Sequence, residues 1–155
     1  MSSPRGPATF HFQHDEPYNE LVTGDGRIFE SQARLLIFAA CLGYNRSRSV
    51  ADHDTDGEMR WSYIAEHPKL SIMAASLAYA ATNDPNAMLD PKRQIEVLTK
   101  YAAGGSEILI DEIIDAPGDN LDLLIELLRD ERDTAELTDK VEVLKQIEQE
   151  VSSLR

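Results

Sequence analysis

The residues best suited to contact phosphate oxygens follow the most apolar stretch of the chain, in the run Tyr44-Asn45-Arg46-Ser47-Arg48-Ser49. Guanidinium groups donate paired hydrogen bonds to phosphate, and hydroxyls add contacts of the same kind. Arg34 and Arg60 complete the set of four candidate nucleic-acid-binding residues, with Arg46 and Arg48. The alternative is an ordinary loop after a helix, in which the arginines complement the negative helix end and pair with Asp52 or Asp54.

Charge is distributed unevenly along the chain. The 155 residues include 28 acidic side chains and 15 lysines and arginines, for a formal net charge of −13. Residues 27–50 hold four arginines against one glutamate, whereas residues 104–155 hold 15 acids and five bases. This composition is typical of haloarchaeal proteins, in which concentrated salt screens the repulsion, although an ordinary acidic protein is an alternative. Any DNA contact is expected to come from a local patch or a partner subunit.

Other patterns that could carry chemistry are incomplete. The segment Asp52-His53-Asp54-Thr55-Asp56-Gly57 begins like a calcium-binding loop, but Tyr63 occupies the twelfth position, where a bidentate glutamate is required. Cys41 is the only cysteine, so one chain can form neither a disulfide nor a cysteine-based metal cage. The chain contains no phosphate-binding glycine loop and no nucleophile elbow. We therefore predict no catalytic, cofactor-binding or metal-binding residues and expect a protein that is not an enzyme.

The C-terminal segment carries an apolar stripe. After Asp133-Thr134-Ala135-Glu136, which resembles a capping box, apolar residues recur with a period near 3.5. The candidate partner-binding residues of this stripe are Leu137, Val141, Leu144, Ile147 and Val151. A helix of this kind needs a surface to cover its stripe, which is either the protein's own core or another chain, including a second copy of this one.

The elements that must position these residues are mainly helical. Ser31 is a good N-cap for a helix through Leu42, Pro68 opens a second helix to about Thr82, and Asp90-Pro91 opens a third. Gly104-Gly105 is predicted to reorient the chain before a further short helix. Alternating apolar residues predict one short strand or hairpin near residues 58–64.

The expected fold is a compact, single-domain bundle of about five to six helices. Residues 1–19 are predicted to be a flexible N-terminal arm, residues 20–132 the helical domain, and residues 133–155 an acidic amphipathic helix. The sequence shows no apolar leader and no membrane-spanning run, so we expect a cytoplasmic protein with no membrane partner.

Four segments together carry a family resemblance. These are Phe29-Glu30-Ser31, the apolar run 35–44, the glycine-interrupted run 100–109 and Gly118-Asp119-Asn120-Leu121-Asp122. In this order, over about residues 20–130, they resemble DNA phosphorothioation-associated protein 4, a family of small accessory proteins of Dnd-type systems. The resemblance implies a role in restriction or replication block of invading DNA that lacks the backbone sulphur mark.

Three functions follow as expectations. The first is a non-catalytic interaction subunit of a phosphorothioation-linked defence system, which assembles with larger co-encoded proteins and contacts DNA directly or through them. The second is a direct DNA-binding module that senses modified or unmodified DNA. The third is a metal-dependent nuclease that uses the cluster from Asp52 to Asp56, which the incomplete loop disfavours. None of the three requires a cofactor.

Overall fold

The computed structural model of the chain describes residues 6–154 and divides into two units at the bond between Ala116 and Pro117. Residues 1–5, the beginning of the predicted arm, and residue 155 lie outside the described residues. The first unit carries a two-stranded sheet and most of the helices, whereas the second consists of a turn and one long helix. The predicted mainly helical fold is confirmed.

Six helices and two strands make up the described chain. Two of the helices, α1 and α5, continue into wider π turns, at Asn19–Thr23 and Ile110–Ile114, and a 3₁₀ turn spans Pro85–Leu89. The elements in order are β1 (Thr9–Phe12), α1 (Glu16–Tyr18), α2 (Gln32–Asn45), β2 (Gly57–Arg60), α3 (Ser62–Ala65), α4 (Pro68–Thr82), α5 (Pro91–Leu109) and α6 (Asn120–Ser153).

The short strand predicted near residues 58–64 is present as β2, and its antiparallel partner is β1. Here the structure differs from the predicted flexible arm, since residues 9–12 belong to the sheet. The reason is the aromatic alternation, which places Phe10 and Phe12 in the core while Thr9 and His11 face outward. Tyr18 is also buried, so burial of aromatic surface holds this segment against the helices.

Side-chain caps start the helices where the sequence predicts. Ser31 Oγ accepts a hydrogen bond from the backbone N–H of Arg34 at 3.2 Å and begins α2. Asp90 Oδ1 accepts from Lys92 N–H at 3.1 Å and begins α5. Each cap satisfies a backbone donor that has no partner inside the helix, which fixes the first residue of the element.

Gly104 and Gly105 do not reorient the chain, contrary to the prediction. Both lie inside α5, which runs without a break to Leu109, and both are buried. A Cβ atom built on Gly105 would lie 1.8 Å from the carbonyl oxygen of Ala39 in α2. The glycines are therefore needed because α2 and α5 cross with their backbones in contact.

The second unit is dominated by α6, which is continuous where a new helix was expected near residue 133. Asp119 caps it by accepting from Asp122 N–H at 3.3 Å. The segment 120–153 contains neither glycine nor proline, so nothing in its backbone chemistry interrupts the helix. Within residues 6–154, no helix combines the length and the apolar character that crossing a membrane requires.

Candidate functional site

The two arginines that follow α2 are held in a tight, well-defined turn. Arg46 is the C-cap residue of α2, and Ser47 adopts a left-handed conformation with φ of 55°. The backbone N–H of Arg48 then donates to the carbonyl of Gly43 at 2.8 Å. This turn sends the chain back across α5, since a Cβ atom on Gly104 would lie 2.0 Å from the Arg48 carbonyl oxygen.

Both guanidinium groups lie against carboxylates of α5 and its π turn. Arg46 pairs with Glu112 through both of its terminal nitrogens, one of them at 3.1 Å. Arg48 Nε donates a hydrogen bond to Glu107 at 3.1 Å, its Nη2 lies 2.9 Å from the same carboxylate, and its Nη1 lies 3.9 Å from Asp111. The arginines thus pair with acids about 60 positions away along the chain, and not with Asp52 or Asp54 as the alternative expected.

The negative charge of the three carboxylates offsets the positive charge of the two guanidinium groups that lie against them. We expect that replacing Arg46 and Arg48 together with glutamine lowers the unfolding free energy by about 1 kcal/mol, since part-exposed ion pairs contribute about 0.2–1 kcal/mol each. The loss should shrink at high salt, which screens the pairs. Urea unfolding at two salt concentrations checks this, and a loss that is independent of salt would contradict the electrostatic explanation.

Arg34 and Arg60 lie elsewhere, and the structure brings them together at one groove of about 820 Å³ in the first unit. The groove lies among the exposed face of the sheet, the start of α2 and the start of α4. Met59 and Leu70 contribute apolar surface to its lining. The four predicted arginines therefore do not form one site: one pair faces carboxylates and the other pair lines the groove.

The two arginines of the groove form few interactions with other side chains of the described chain. Arg34 approaches Glu30 through Nε at 3.7 Å, and both side chains are largely exposed. Arg60 forms no ion pair or side-chain hydrogen bond with another residue of the described chain. Glu58 also lines the groove and lies 3.8 Å from His11. Guanidinium donors thus stay available for an external acceptor.

Two further groups in the groove were not selected from the sequence. Tyr63 lies on α3 with 56% of its surface exposed, and it has no aromatic neighbour within the described residues. His67 caps α4, with Nδ1 accepting from the backbone N–H groups of Lys69 and Leu70, each at 3.2 Å. Because Nδ1 is an acceptor, the proton of the neutral ring lies on Nε2, which is left as a donor. Neither residue belongs to a sequence motif, so only the fold shows this grouping.

The apolar stripe of α6 is exposed. Leu137 and Leu144 are each 63% exposed, and Val141, Ile147 and Val151 are between 41% and 52% exposed. Val143, beside the stripe, is exposed as well. Residues 136–150 add five acids and two lysines around these side chains. The helix therefore presents a narrow apolar surface with an acidic border.

A partly buried polar cluster lies where the N-terminal segment meets α5. The Ser106 hydroxyl donates to Asp15, and Gln13 Nε2 donates to the same carboxylate at 3.1 Å. The Tyr18 hydroxyl is buried and has no hydrogen-bond partner among the described residues. Burial, with a smaller contribution from Asp15, raises the pKa of Tyr18. The alternation Phe10, Phe12 was the sequence signal for this packing.

The acidic loop before β2 has structural contacts. Asp56 Oδ1 accepts from the backbone N–H of His14 at 3.0 Å, and this hydrogen bond lowers the pKa of Asp56. The backbone N–H of Asp54 donates to Gln13 Oε1 at 3.4 Å. Among the described residues, no three His, Cys, Asp or Glu side chains group closely enough to hold a metal ion. These hydrogen bonds join the loop before β2 to the residues that follow β1.

Cys41 lies on α2 and is half-buried. Burial raises the pKa of its thiol, which reduces the fraction of reactive thiolate at neutral pH. The environment of Cys41 is therefore unlike that of an activated cysteine nucleophile.

Comparison with known proteins gives a match to a protein family. Residues 12–147 match the family model described as DNA sulphur modification system-associated protein 4. No curated protein and no solved structure matches the chain. The match runs from the end of β1 into the exposed part of α6, and so includes most of the apolar stripe. This chain belongs to the family of DNA sulphur modification system-associated protein 4.

Proposed function

We propose that this protein is a non-catalytic accessory subunit of a DNA phosphorothioation-linked defence system, and that it assembles with larger co-encoded proteins. The observation that carries the proposal is the exposed apolar stripe of α6. Family membership supports the pathway, since the family is associated with DNA sulphur modification. Restriction or replication block of unmodified DNA would be the process in which the subunit acts.

The stripe fits a partner helix better than a second copy of this chain. Apolar side chains at a period near 3.5 suit packing against another helix, because each can insert between side chains of the facing helix. The acidic border would meet an identical acidic border in a homodimer, at a repulsive cost that rises as salt falls. A partner helix with an apolar stripe and basic flanking residues would gain from both features.

The structure offers little support for DNA contact through the loop after α2, because Arg46 and Arg48 already face carboxylates. Guanidinium groups that must exchange Glu107 and Glu112 for phosphate gain less than unpaired ones. The interaction role is therefore the better-supported function of this protein.

The stripe is tested by introducing two charges into it. We expect Leu144→Glu combined with Val151→Glu to reduce recovery of co-encoded partners by at least about tenfold, because buried apolar anchors carry most of an interface's free energy. The measurement is affinity capture of the tagged protein from its host at native salt, with nuclease treatment, followed by mass spectrometry. Charges inside an apolar seam would have to be desolvated without a counter-ion.

The matched control places the same charge change on the opposite face of the same helix, with Gln146→Glu combined with Gln149→Glu. This control should leave partner recovery unchanged, and circular dichroism should show equal helix content in both double variants. Recovery of Dnd-associated proteins by the stripe variant at the wild-type level would sink the assignment of the stripe. Absence of any co-encoded partner from wild-type captures would sink the proposed function as a whole.

A further inference from the structure

The groove beside the sheet combines two kinds of surface that nucleic acids require. Arg34 and Arg60 bring guanidinium groups to it, and Tyr63 brings an exposed aromatic ring. Phosphate oxygens accept hydrogen bonds from guanidinium, while bases stack on aromatic faces. In a chain of net charge −13, Glu58 is the one acidic residue among the described residues that line the groove, and Glu30 lies 3.7 Å from Arg34 beside it.

Two helix ends add to the preference for an anion. Ser31 and Gln32, at the start of α2, line the groove, and so does His67, the N-cap of α4. Both helices are long, with 14 and 15 residues, and their amino-terminal ends carry partial positive charge. The Nε2 proton of His67 supplies one more donor beside them.

We propose that this groove binds a single-stranded segment of nucleic acid, with phosphates on Arg34 and Arg60 and an unpaired base stacked on Tyr63. The inference goes beyond the subunit role, which depends on α6. A volume of about 820 Å³ falls within the range of ordinary ligand sites and accommodates one or two nucleotides. The apolar lining from Met59 and Leu70 suits the edge of a base.

Single strands are favoured over duplex for a geometric reason. In a duplex the faces of the bases are stacked on one another, so Tyr63 could contact only the backbone or a groove edge. An unpaired base offers its whole face to the ring. An acidic peptide could also satisfy the arginines, but it would leave the exposed ring of Tyr63 without a matching flat partner.

The test measures binding of the full-length protein to a fluorescently labelled oligothymidine by anisotropy, over a salt series that begins at about 50 mM, where phosphate contacts are strong. We expect Arg34→Glu combined with Arg60→Glu to weaken binding at least about tenfold and to reduce the slope of log Kd against log salt by about 1 to 2. The matched control, Arg129→Glu with Arg132→Glu, changes the net charge equally on α6 and should retain wild-type binding.

The aromatic contribution has its own pair of variants. Tyr63→Ala should weaken binding about fivefold or more, because loss of one base–aromatic stack typically has at least that effect, whereas Tyr63→Phe should bind like the wild type. Tyr79 on α4 is also exposed but does not line the groove, so Tyr79→Ala should have no effect.

Several results would overturn the proposal. These are absence of wild-type binding at the lowest salt, equal loss in the α6 charge control, and competition by polyglutamate as strong as by unlabelled oligothymidine. A groove variant that binds oligothymidine normally but no longer captures co-encoded proteins would make the groove a protein interface instead. Because the α6 stripe variant should still bind oligothymidine, failure of the groove and failure of the subunit role are distinguishable.

Discussion

Replacing Gly105 with alanine is expected to lower the unfolding free energy of the first unit by at least about 2 kcal/mol, as overpacking in a rigid core does. The new methyl carbon would lie 1.8 Å from the carbonyl oxygen of Ala39, and that atom belongs to the backbone of a facing helix. Neither backbone can move alone, so α2 and α5 would have to separate. Gly43 shows the same closeness from the other helix, with the Tyr101 carbonyl 2.1 Å from its built Cβ atom.

The sign of this effect is informative, because helix propensity acts in the opposite direction. In a helix without tertiary contacts, alanine is about 1 kcal/mol more favourable than glycine. Destabilisation of Gly105→Ala would therefore reflect the close contact between the backbones of α2 and α5. A glycine inside a continuous helix that made no close contact with a neighbour would instead become more stable with alanine.

Urea unfolding followed by tryptophan fluorescence measures the effect. Trp61 is the only tryptophan, it is buried, and it belongs to the first unit, so its emission reports that unit's unfolding. Ser76→Ala, at an exposed position of α4, serves as control and should change stability by less than about 0.5 kcal/mol. Equal or higher stability of Gly105→Ala would contradict the close crossing.

Replacing Tyr18 with phenylalanine is expected to stabilise the protein, by about 1 kcal/mol at neutral pH. The hydroxyl is buried without a hydrogen-bond partner among the described residues. Folding therefore removes its hydrogen bonds to water and supplies none in their place. Phenylalanine keeps the ring contact with Phe12, whose centroid lies 5.1 Å away. A destabilised variant would show instead that the hydroxyl forms a stabilising hydrogen bond in solution.

The benefit should grow in alkaline solution. Burial raises the pKa of Tyr18 in the folded protein above its ordinary value near 10 in the unfolded chain. A folded pKa above the unfolded one means that stability is complete below pH 10 and is lost as the pH rises further, by up to about 1.4 kcal/mol per pH unit. Tyr18→Phe removes this loss because phenylalanine does not ionise.

Urea unfolding at neutral pH and at several pH values above 10 tests both statements. Tyr63→Phe is the matched control, since it makes the same substitution at an exposed position. Parallel slopes for the wild type and Tyr18→Phe would contradict the effect of burial on the Tyr18 pKa.

Tertiary pairing explains why the candidate site was only partly predictable. The sequence places Arg46 and Arg48 in a basic run, and their nearest acids in the chain are Asp52 and Asp54. Their actual partners, Glu107, Asp111 and Glu112, are spaced so that α5 and its π turn present them together. Only the crossing of α2 over α5 brings the two groups within ion-pair distance.

The groove residues could not be grouped from the sequence, because they come from several separate elements. Arg34 stands at the start of one helix, Arg60 ends a strand, and Tyr63 and His67 follow in two further helices. Their separation along the chain follows no period, so no pattern could select them as a group. The set assembles because the sheet and the starts of α2 and α4 lie around the same groove.

The sequence by itself determined the local features of this protein. Caps at Ser31 and Asp90 start helices where predicted, β2 lies within a residue of its predicted start, and the periodic stripe lies on a helix. Each of these features depends on neighbours in the chain. Only the tertiary structure decided that the glycine pair serves close packing, that the N-terminal segment joins the sheet, and which arginines face carboxylates. These outcomes depend on atoms brought together from distant positions, where the distance between backbones and charges sets the energy.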